Sequence, residues 1–585
     1  MHLKTIARVA VGLAFLPATF LVAALKVKPV SPASQSLSAG LTPEIKIEFD
    51  APMNSATINA RSMTIAGRWT GVMPGEFRLE DGNRLIRFLP SKKFSAGELI
   101  TVAISKRVRS AGGDSLITGY TWNFWTAAGR GDMTLKLKST LPVRFAGEQQ
   151  RIRTYGAYAG DLNGDGYHDF TVPNEDVHDI RIFLNDGRGN YTYSSHQQLP
   201  IPSKPSTNEG VDFNGDGLTD FAVGNIQGNS VSVLFGDGRG GLAAPVNYPV
   251  GREPRGLSVM DLEGDGDMDI VTANRVGNNI SILYNNGDGS FVSGGSFDPG
   301  GQAETAGAAA DADADGILDL FVGAYNSKEI ILLLGDGKGG LTFAQRINCG
   351  GSPWMVATGD VDGDGHVDVV AADAFEARAA VLRGDGKGAL QPVEFYSVGN
   401  FPLAIDLGDL NGDGDLDLIT SNYGSAAWTL YENSGNGKFV NPQSFPATAA
   451  ASCAVFHDRD LDGDLDMTGI DEEADMIFLF ENSNASAVDT KPTVQVPRDF
   501  SLAQAYPNPL AHHANLNIAF ALQRTARVNL RVVNVIGQTV GVLVDGILTA
   551  GSHQATLNAR ELHGGVYFYV LTVEGKTLTR KVALL

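Results

Sequence analysis

Cysteine is almost missing: the 585 residues hold only Cys349 and Cys453. They fall at different points of the repeats described below. A disulfide-built fold is therefore excluded, and buried free thiols are expected. Basic clusters are missing too. With a formal charge of −21 and no cationic face, nucleic acid is excluded as a partner. Long apolar runs are confined to one, Val9 to Leu25, so no other segment approaches a membrane span. Catalytic signatures are absent as well: there is no H-E-x-x-H, no G-x-S-x-G and no paired-cysteine metal site.

What is present is one nine-residue sentence written seven times, D-x-[D/N/E]-x-D-G-x-x-D. The copies begin at Asp161, Asp212, Asp261, Asp311, Asp360, Asp409 and Asp458, with start-to-start spacings of 49 to 51 residues. So regular a period marks an array of one supersecondary unit. Oxygen-bearing side chains stand at positions 1, 3, 5 and 9. In chain order these are Asp161, Asn163, Asp165 and Asp169; Asp212, Asn214, Asp216 and Asp220; Asp261, Glu263, Asp265 and Asp269; Asp311, Asp313, Asp315 and Asp319; Asp360, Asp362, Asp364 and Asp368; Asp409, Asn411, Asp413 and Asp417; Asp458, Asp460, Asp462 and Asp466.

Alternate residues of a tight loop can converge on one point, and the glycine at position 6 permits the turn. Six to eight hard oxygens at flexible geometry suit Ca²⁺. The opening is shared with the EF-hand, but here the loop closes on Asp at position 9 and runs into a strand, Val369-Val-Ala-Ala372 in the fifth copy. Up to seven Ca²⁺ ions are expected. Of the 28 positions, 25 carry carboxylates, and seven divalent cations would bring the net charge from −21 to −7. Ala314 and Leu461 replace the usual glycine at position 4, so those two loops are expected to be strained.

Each repeat keeps one order, shown by the third: a lead-in strand (Gly256–Met260), the loop, a second strand (Asp269–Asn274), a third (Ile280–Tyr284), a glycine-rich turn and a fourth strand from Phe291. Four antiparallel strands repeated seven times predict an all-β, seven-bladed β-propeller over residues 133–482. The seventh unit lacks its fourth strand, while Met133–Leu137 supplies one strand too many before the first. Residues 133–141 are therefore expected to complete the seventh unit and close the ring, which removes exposed sheet edges. The repeats resemble the FG-GAP/VCBS family, which includes the propeller of integrin α-subunits. The resemblance implies a calcium-stabilised propeller used in extracellular recognition, and some relatives sit inside polysaccharide-active enzymes.

Residues 27–127 alternate short strands with turns, as in Ile45–Phe49, Ile100–Ile104 and Thr121–Trp125, and predict a β-sandwich. Phe49-Asp-Ala-Pro-Met53, Phe88-Leu-Pro90 and Phe124-Trp-Thr126 resemble the bacterial Ig-like domain of the S-layer type, which implies a spacer. At the N-terminus Lys4 and Arg8 precede the apolar run, and Val22-Ala-Ala24 offers a cleavage site. Residues 1–24 read as a signal peptide, with an uncleaved anchor as the alternative. After a linker at 483–502, residues 503–585 form another β segment. Its Tyr506-Pro-Asn-Pro509, Gly565-Val-Tyr-Phe-Tyr569 and Thr579–Leu585 resemble the type A sorting domain of the bacterial type IX secretion system. That resemblance implies contact with the type IX machinery, export through a Gram-negative outer membrane and a secreted or cell-surface destination.

His168 and His366 lie at positions 8 and 7 of their loops and His457 precedes Asp458, so all three read as structural. Five residues beyond each last loop Asp stand Asn174, Asn225, Asn274, Asp373, Asn422 and Asp471, with Asn326 displaced by two. They read either as turn-forming residues or as a ring lining the channel mouth. Arg130-Gly-Asp132 reads as a chance tripeptide. The expected function is calcium-dependent recognition or adhesion toward an extracellular protein or glycan, with no catalytic residue assigned. The rival is a polysaccharide lyase or hydrolase working at the channel mouth, whose mark would be Arg, Lys, His or Tyr converging on an open cleft.

Overall fold

A computed structural model describes residues 25–482, 500–502, 515–522, 524–535, 538–549, 551–558, 564–573 and 576–584. The expected signal peptide, Tyr506–Pro509 and most of the linker lie outside the described residues. The chain divides into two compact units, Met1–Ala485 and Ser486–Leu585.

In the first unit, strands Val27–Ser31, Ile45–Phe49, Leu85–Pro90 and Gly75–Glu80 form one sheet; Gly71–Val72, Met63–Gly67, Leu99–Ile104 and Tyr120–Trp125 form a second. The inward residues of both, including Ile47, Phe88, Val102, Trp122 and Phe124, share one core. This is a sandwich, in which alternate residues of each strand face the opposite sheet.

Seven four-stranded antiparallel sheets follow. The third shows the pattern: Pro254–Met260, Asp269–Asn274, Asn279–Asn285 and Phe291–Phe297, from the inside out. The innermost strand of each sheet touches that of the next, and the last touches the first, so the sheets form a closed ring. Burial explains the sequence of each strand. Second strands such as Asp269–Asn274 are buried along their whole length between neighbouring sheets; their middles are largely apolar, and the polar residues at their ends are buried and hydrogen-bonded. Outer strands such as Phe291–Phe297 bury little beyond their first residue and are mostly polar or glycine.

The seventh sheet consists of Ala451–His457, Asp466–Asp471 and Met476–Glu481, completed by Lys136–Pro142 from before the first sheet. The register runs Met476↔Pro142 through Glu481↔Lys136 with one irregularity at Leu479/Phe480. Strand counting in the sequence located this clasp. Trp428 is buried beside Phe478 and Phe480, filling the seam between the sixth and seventh sheets, and its Nε1 donates to the Cys453 carbonyl at 3.0 Å. Both cysteines are buried free thiols.

The second unit is all β. Phe500–Leu502, Asn515–Leu522 and Gly551–Asn558 form a three-stranded sheet; Thr539–Leu548, Ala526–Asn534, Gly565–Val573 and Lys576–Leu584 form a four-stranded one. Leu516, Ile518, Val528, Leu530, Tyr569 and Val582 belong to its core. Among the described residues no helix is long and apolar enough to cross a membrane.

Candidate functional site

The seven acidic loops share one end of the ring, because each follows the innermost strand of its sheet. Their backbone is nearly invariant. Position 4 is left-handed in all seven, including Ala314 at φ 61° and Leu461 at φ 58°, as is the glycine at position 6. A side chain at such φ costs about 1–2 kcal/mol, so the strain expected at Ala314 and Leu461 is present.

The position-1 carboxylate is wrapped by amides of its own loop. Asp161 accepts from the N–H groups of Gly164, Asp165 and Gly166 at 2.8, 3.1 and 3.0 Å. Position 9 ties the loop to its sheet. Asp169 accepts from Leu162 N at 3.1 Å and Asn185 N at 2.9 Å. The second of these bonds recurs in all seven sheets, ending with Asn482 N on Asp466 at 2.8 Å. The last Asp of the motif is therefore a structural tie as well as a candidate ligand, since each carboxylate oxygen keeps a second lone pair.

Acidic oxygens converge most closely in three loops. Asp311, Asp313 and Asp315; Asp360, Asp362 and Asp368; and Asp458, Asp460 and Asp462 each place three ligand oxygens within 4.8 Å of one another. In the loops at 161 and 409 the Asn side chains fold onto position 5, Asn163 Nδ2 donating to Asp165 at 2.9 Å and Asn411 Nδ2 to Asp413 at 3.0 Å.

Burial pushes the position-9 carboxyls up, to about 7 in Asp169, Asp220, Asp319, Asp368 and Asp466 and about 8 in Asp269 and Asp417. The backbone amides oppose this, and the other loop carboxylates add to it. Among the described residues, Lys or Arg reaches the candidate ligands of only three loops: Arg107–Asp265 at 3.6 Å, Arg383–Asp362 at 3.1 Å, and Arg459–Asp466 at 3.2 Å with Lys138–Asp460 at 3.9 Å. The other four loops hold buried negative charge with no side-chain cation. An all-oxygen, partly buried, flexible donor set of this kind fits a hard divalent cation.

This end of the ring is covered. The sandwich expected to act as a spacer instead sits on the loops as a cap. Lys106 N donates to Gly264 O at 2.7 Å, Thr121 N to Gly316 O at 2.7 Å and Gly129 N to Gly463 O at 2.6 Å, while Asp161 N donates to Trp69 O at 2.8 Å. Four loops are thus held through their backbones. Trp69 packs against His168 and His457, and Ser95 Oγ pairs with His168 Nε2 at 2.6 Å. Burial keeps both imidazoles neutral, pushing His168 down to about 3. Neither histidine faces solvent. Glu98 holds the finger that carries Trp69, accepting from Trp69 N and Thr70 N at 2.6 Å and from Ser95 N at 2.9 Å.

Above the cap runs a channel of about 410 Å³, walled by small residues of the innermost strands such as Gly156, Gly210, Gly256, Ala306 and Ala404. Arg68 of the cap reaches into it and pairs with Asp406 at 3.3 Å. Glu209 lines the same stretch, and burial pushes it up to about 7 against the pull of Arg68.

The opposite end of the channel is an open mouth of about 210 Å³. One side is aromatic. Trp354, Phe401 and Tyr423 line it, and Tyr325 and the exposed Phe375 beside them extend a chain of ring contacts with centroids 5.2 to 6.2 Å apart. The other side is charged. Arg153 pairs with Glu472 at 2.9 Å, Glu473 at 3.2 Å and Glu175 at 3.6 Å, and Lys204 pairs with Glu175 at 3.3 Å. Arg255 pairs with Glu253 at 3.1 Å and lies over Trp354, whose Nε1 donates to Tyr155 at 2.9 Å. Burial, with Glu175 adding and Arg153 opposing, pushes Glu472 up to about 8.

The sequence missed this site. Six of the seven polar positions it singled out as a possible ring are buried, and several are ties: Asn174 bonds Thr154 and Asp179, Asn274 bonds Thr272 and Ser281, and Asp471 accepts from Thr448, Ala449 and Ala450 amides; Asn326, the displaced one, is exposed. The mouth is lined by the residue one further on in three sheets, Glu175, Tyr423 and Glu472, and by residues before or near the start of innermost strands, including Lys204, Arg255, Trp354 and Phe401. That equivalent positions in the repeats hold unlike side chains is the signal that could have found it. Gly131 of the Arg-Gly-Asp tripeptide packs against Asn482 and the Leu410 carbonyl, as an ordinary joint would.

Family models match this chain in three places. An FG-GAP-like repeat matches six overlapping stretches, 161–223, 212–272, 261–322, 311–371, 360–420 and 409–468. A bacterial Ig-like domain matches 22–126, and a secretion system C-terminal sorting domain matches 504–584. No curated protein matches the chain. Among solved structures, similar ones include BBS1N in complex with ARL6DN (14% identity, 61% of this chain and 99% of that one, TM-score 0.43). Others are a functionally unknown protein from Desulfotomaculum acetoxidans (13%, 50% and 90%, 0.38) and the periplasmic gluconolactonase PpgL of Pseudomonas aeruginosa (16%, 64% and 95%, 0.38).

Proposed function

Since the chain belongs to the FG-GAP-like repeat family, and carries a bacterial Ig-like domain and the sorting tail of a secreted or cell-surface protein, we propose that it is a calcium-stabilised recognition or adhesion module for an extracellular protein or glycan. In this reading Ca²⁺ is held by positions 1, 3, 5 and 9 of the seven loops. The cap and the ions together stiffen one end of the ring, and the other end meets the ligand.

The observation that carries the reading is the set of buried loop carboxylates, four of the seven loops having no side-chain cation, against three places where acidic oxygens converge within 4.8 Å. Such sites in extracellular modules bind at roughly 10⁻⁴–10⁻³ M. Elemental analysis of the dialysed protein, with calorimetric titration of CaCl₂, tests it. Several equivalents of calcium per chain are expected; none by either method removes the metal from the reading.

One observation favours a second reading, a polysaccharide-active enzyme. Glu472 and Glu209 both line the channel with carboxyls pushed up to about 8 and about 7, the range a general acid needs near neutral pH. Release of reducing ends from a panel of polysaccharides, abolished by Glu472→Gln or Glu209→Gln, would establish it. No release from any of them would leave the binding reading alone.

A further inference from the structure

The mouth departs from the symmetry of the ring in a directed way. Its aromatic residues come from the fourth, fifth and sixth sheets, joined by Tyr155 beside the first, whose hydroxyl meets Trp354; its charged residues come from the seventh, first, second and third. The residue preceding the innermost strand is left-handed in four sheets, at Lys204, Glu253, Ala303 and Phe401, and so is Arg153, which precedes the isolated Thr154–Asn174 bridge, with φ between 51° and 59°. Glycine would relieve that strain, and three of the five positions, Arg153, Lys204 and Phe401, keep a large side chain lining the mouth instead. Strain retained at a cleft is a mark of function. Glu472 is 4% exposed, lines the cavity, and its Oε2 has no hydrogen-bond partner. Phe375 is 66% exposed although it sits in a chain of aromatic contacts.

We propose that the mouth is a carbohydrate subsite that takes the end of a neutral oligosaccharide. The apolar C–H faces of a sugar ring match the aromatic side, where Trp354 and Phe401 supply flat area that is costly to leave wet. Its hydroxyls, each both donor and acceptor, match the charged side, where Arg153 and Lys204 donate and Glu175 accepts. Cations there are already paired with carboxylates, so a net charge on the ligand would meet an opposed group whichever its sign. Glu472 is held by Arg153 through Oε1 and leaves Oε2 without a partner at the cavity, where a sugar hydroxyl can meet it. Arg68, Trp69 and Trp125 of the cap floor the channel, so a polymer cannot thread through. It can enter only by an end. A rigid pocket with few convergent polar groups is what orients a small ligand.

This inference rests on the proposed recognition function and is tested so that the two can fail separately. Calcium-loaded full-length protein is titrated calorimetrically with linear pentasaccharides of glucose, mannose, xylose and N-acetylglucosamine, with a cyclic glucan that has no end, and with pentagalacturonate. In parallel it is probed on an array of extracellular proteins. At least one linear neutral sugar is expected to bind, and the cyclic glucan is not. Trp354→Ala should weaken binding by roughly tenfold and the exposed Phe375→Ser by roughly threefold, with melting temperatures checked beside them; Phe375→Ser keeps the test valid should Trp354→Ala unfold. Sugar binding unchanged in both variants overturns the proposal, as does equal binding of the cyclic glucan. If only pentagalacturonate or an arrayed protein binds, and Phe375→Ser abolishes it, the carbohydrate assignment fails while recognition at the mouth stands. If no probe binds in a manner sensitive to either Trp354→Ala or Phe375→Ser, both fall.

Discussion

The two ends of one channel are built from the same seven repeats and could hardly be less alike. At the loop end the copies agree: an aspartate at positions 1, 5 and 9, a left-handed backbone at 4 and 6, and the same amide on the last carboxylate in every sheet. At the mouth the residue after the second strand reads Glu175, Ile226, Arg275, Tyr325, Ala374, Tyr423 and Glu472. Uniform residues answer a demand made equally of every sheet, which is to hold its own turn together. Dissimilar residues answer a demand made of the ring as a whole. The difference separates scaffold from recognition surface within a single repeated unit.

The strongest way to break this contrast is to remove metal. A ligand at ten times its dissociation constant contributes roughly 1.4 kcal/mol per site, so with several sites filled EDTA should lower the melting temperature by roughly 10 °C. Because the cap bonds to four loops, chelation should also expose the segment 127–132 to protease, which calcium restores. An unshifted melting curve would mean the loops are ordinary turns. Next in size is Trp69→Ala, which empties the space against His168 and His457 and should cost about 3–5 kcal/mol. It should free the cap from the ring while leaving the isolated cap folded, as far-ultraviolet and near-ultraviolet circular dichroism would record.

A paired substitution sharpens the comparison directly. Asp319→Asn places an amide against the N–H groups of Ala312 and Gly335 and should cost about 1–3 kcal/mol, with calcium affinity reduced. Phe375→Ser at the mouth should change stability by less than about 0.5 kcal/mol. Equal losses in the two would erase the distinction between the ends. A smaller effect concerns pH. Burial pushes Glu98 up to about 7 despite its three amide donors, with Tyr158 its titratable neighbour. A carboxyl raised on folding gives its full stabilisation below its unfolded value near 4.5 and loses it as pH rises through about 7. The cap should therefore loosen by a few degrees of melting temperature between pH 5 and 8, and Glu98→Gln should flatten that slope. Smallest of all, Leu461→Gly should relieve left-handed strain against added chain entropy, for a net gain of about 0.5 kcal/mol.

What could be read from the chain was whatever recurs locally. Position 6 must turn and position 9 must begin a strand wherever the motif falls, so loops, strand order and the clasp at 133–141 were all legible. Three things were not. The docking of the cap depends on Trp69, Lys106 and Thr121 meeting loops that lie tens to hundreds of residues away, and no period announces such a meeting. The buried role of Asn174 and its equivalents was hidden because an Asx residue at a strand end looks the same whether it faces water or ties a neighbouring strand. The mouth was hidden by the reading that revealed the loops: searching for sameness passes over positions whose meaning lies in their differences.

The clasp has a consequence for how the molecule comes into being. Thr140 pairs with Phe478 across 338 residues of chain. Closing so long a loop costs about 3 kcal/mol more than closing a ten-residue hairpin. The donor strand is made early and must wait until the last sheet has emerged. In that interval the seventh sheet's edge recognises any copy of Lys136–Pro142, its own or a neighbour's. Refolded dilute, the chain finds itself and forms a ring. Refolded concentrated, it exchanges this strand between copies, and domain-swapped oligomers accumulate in proportion to protein concentration.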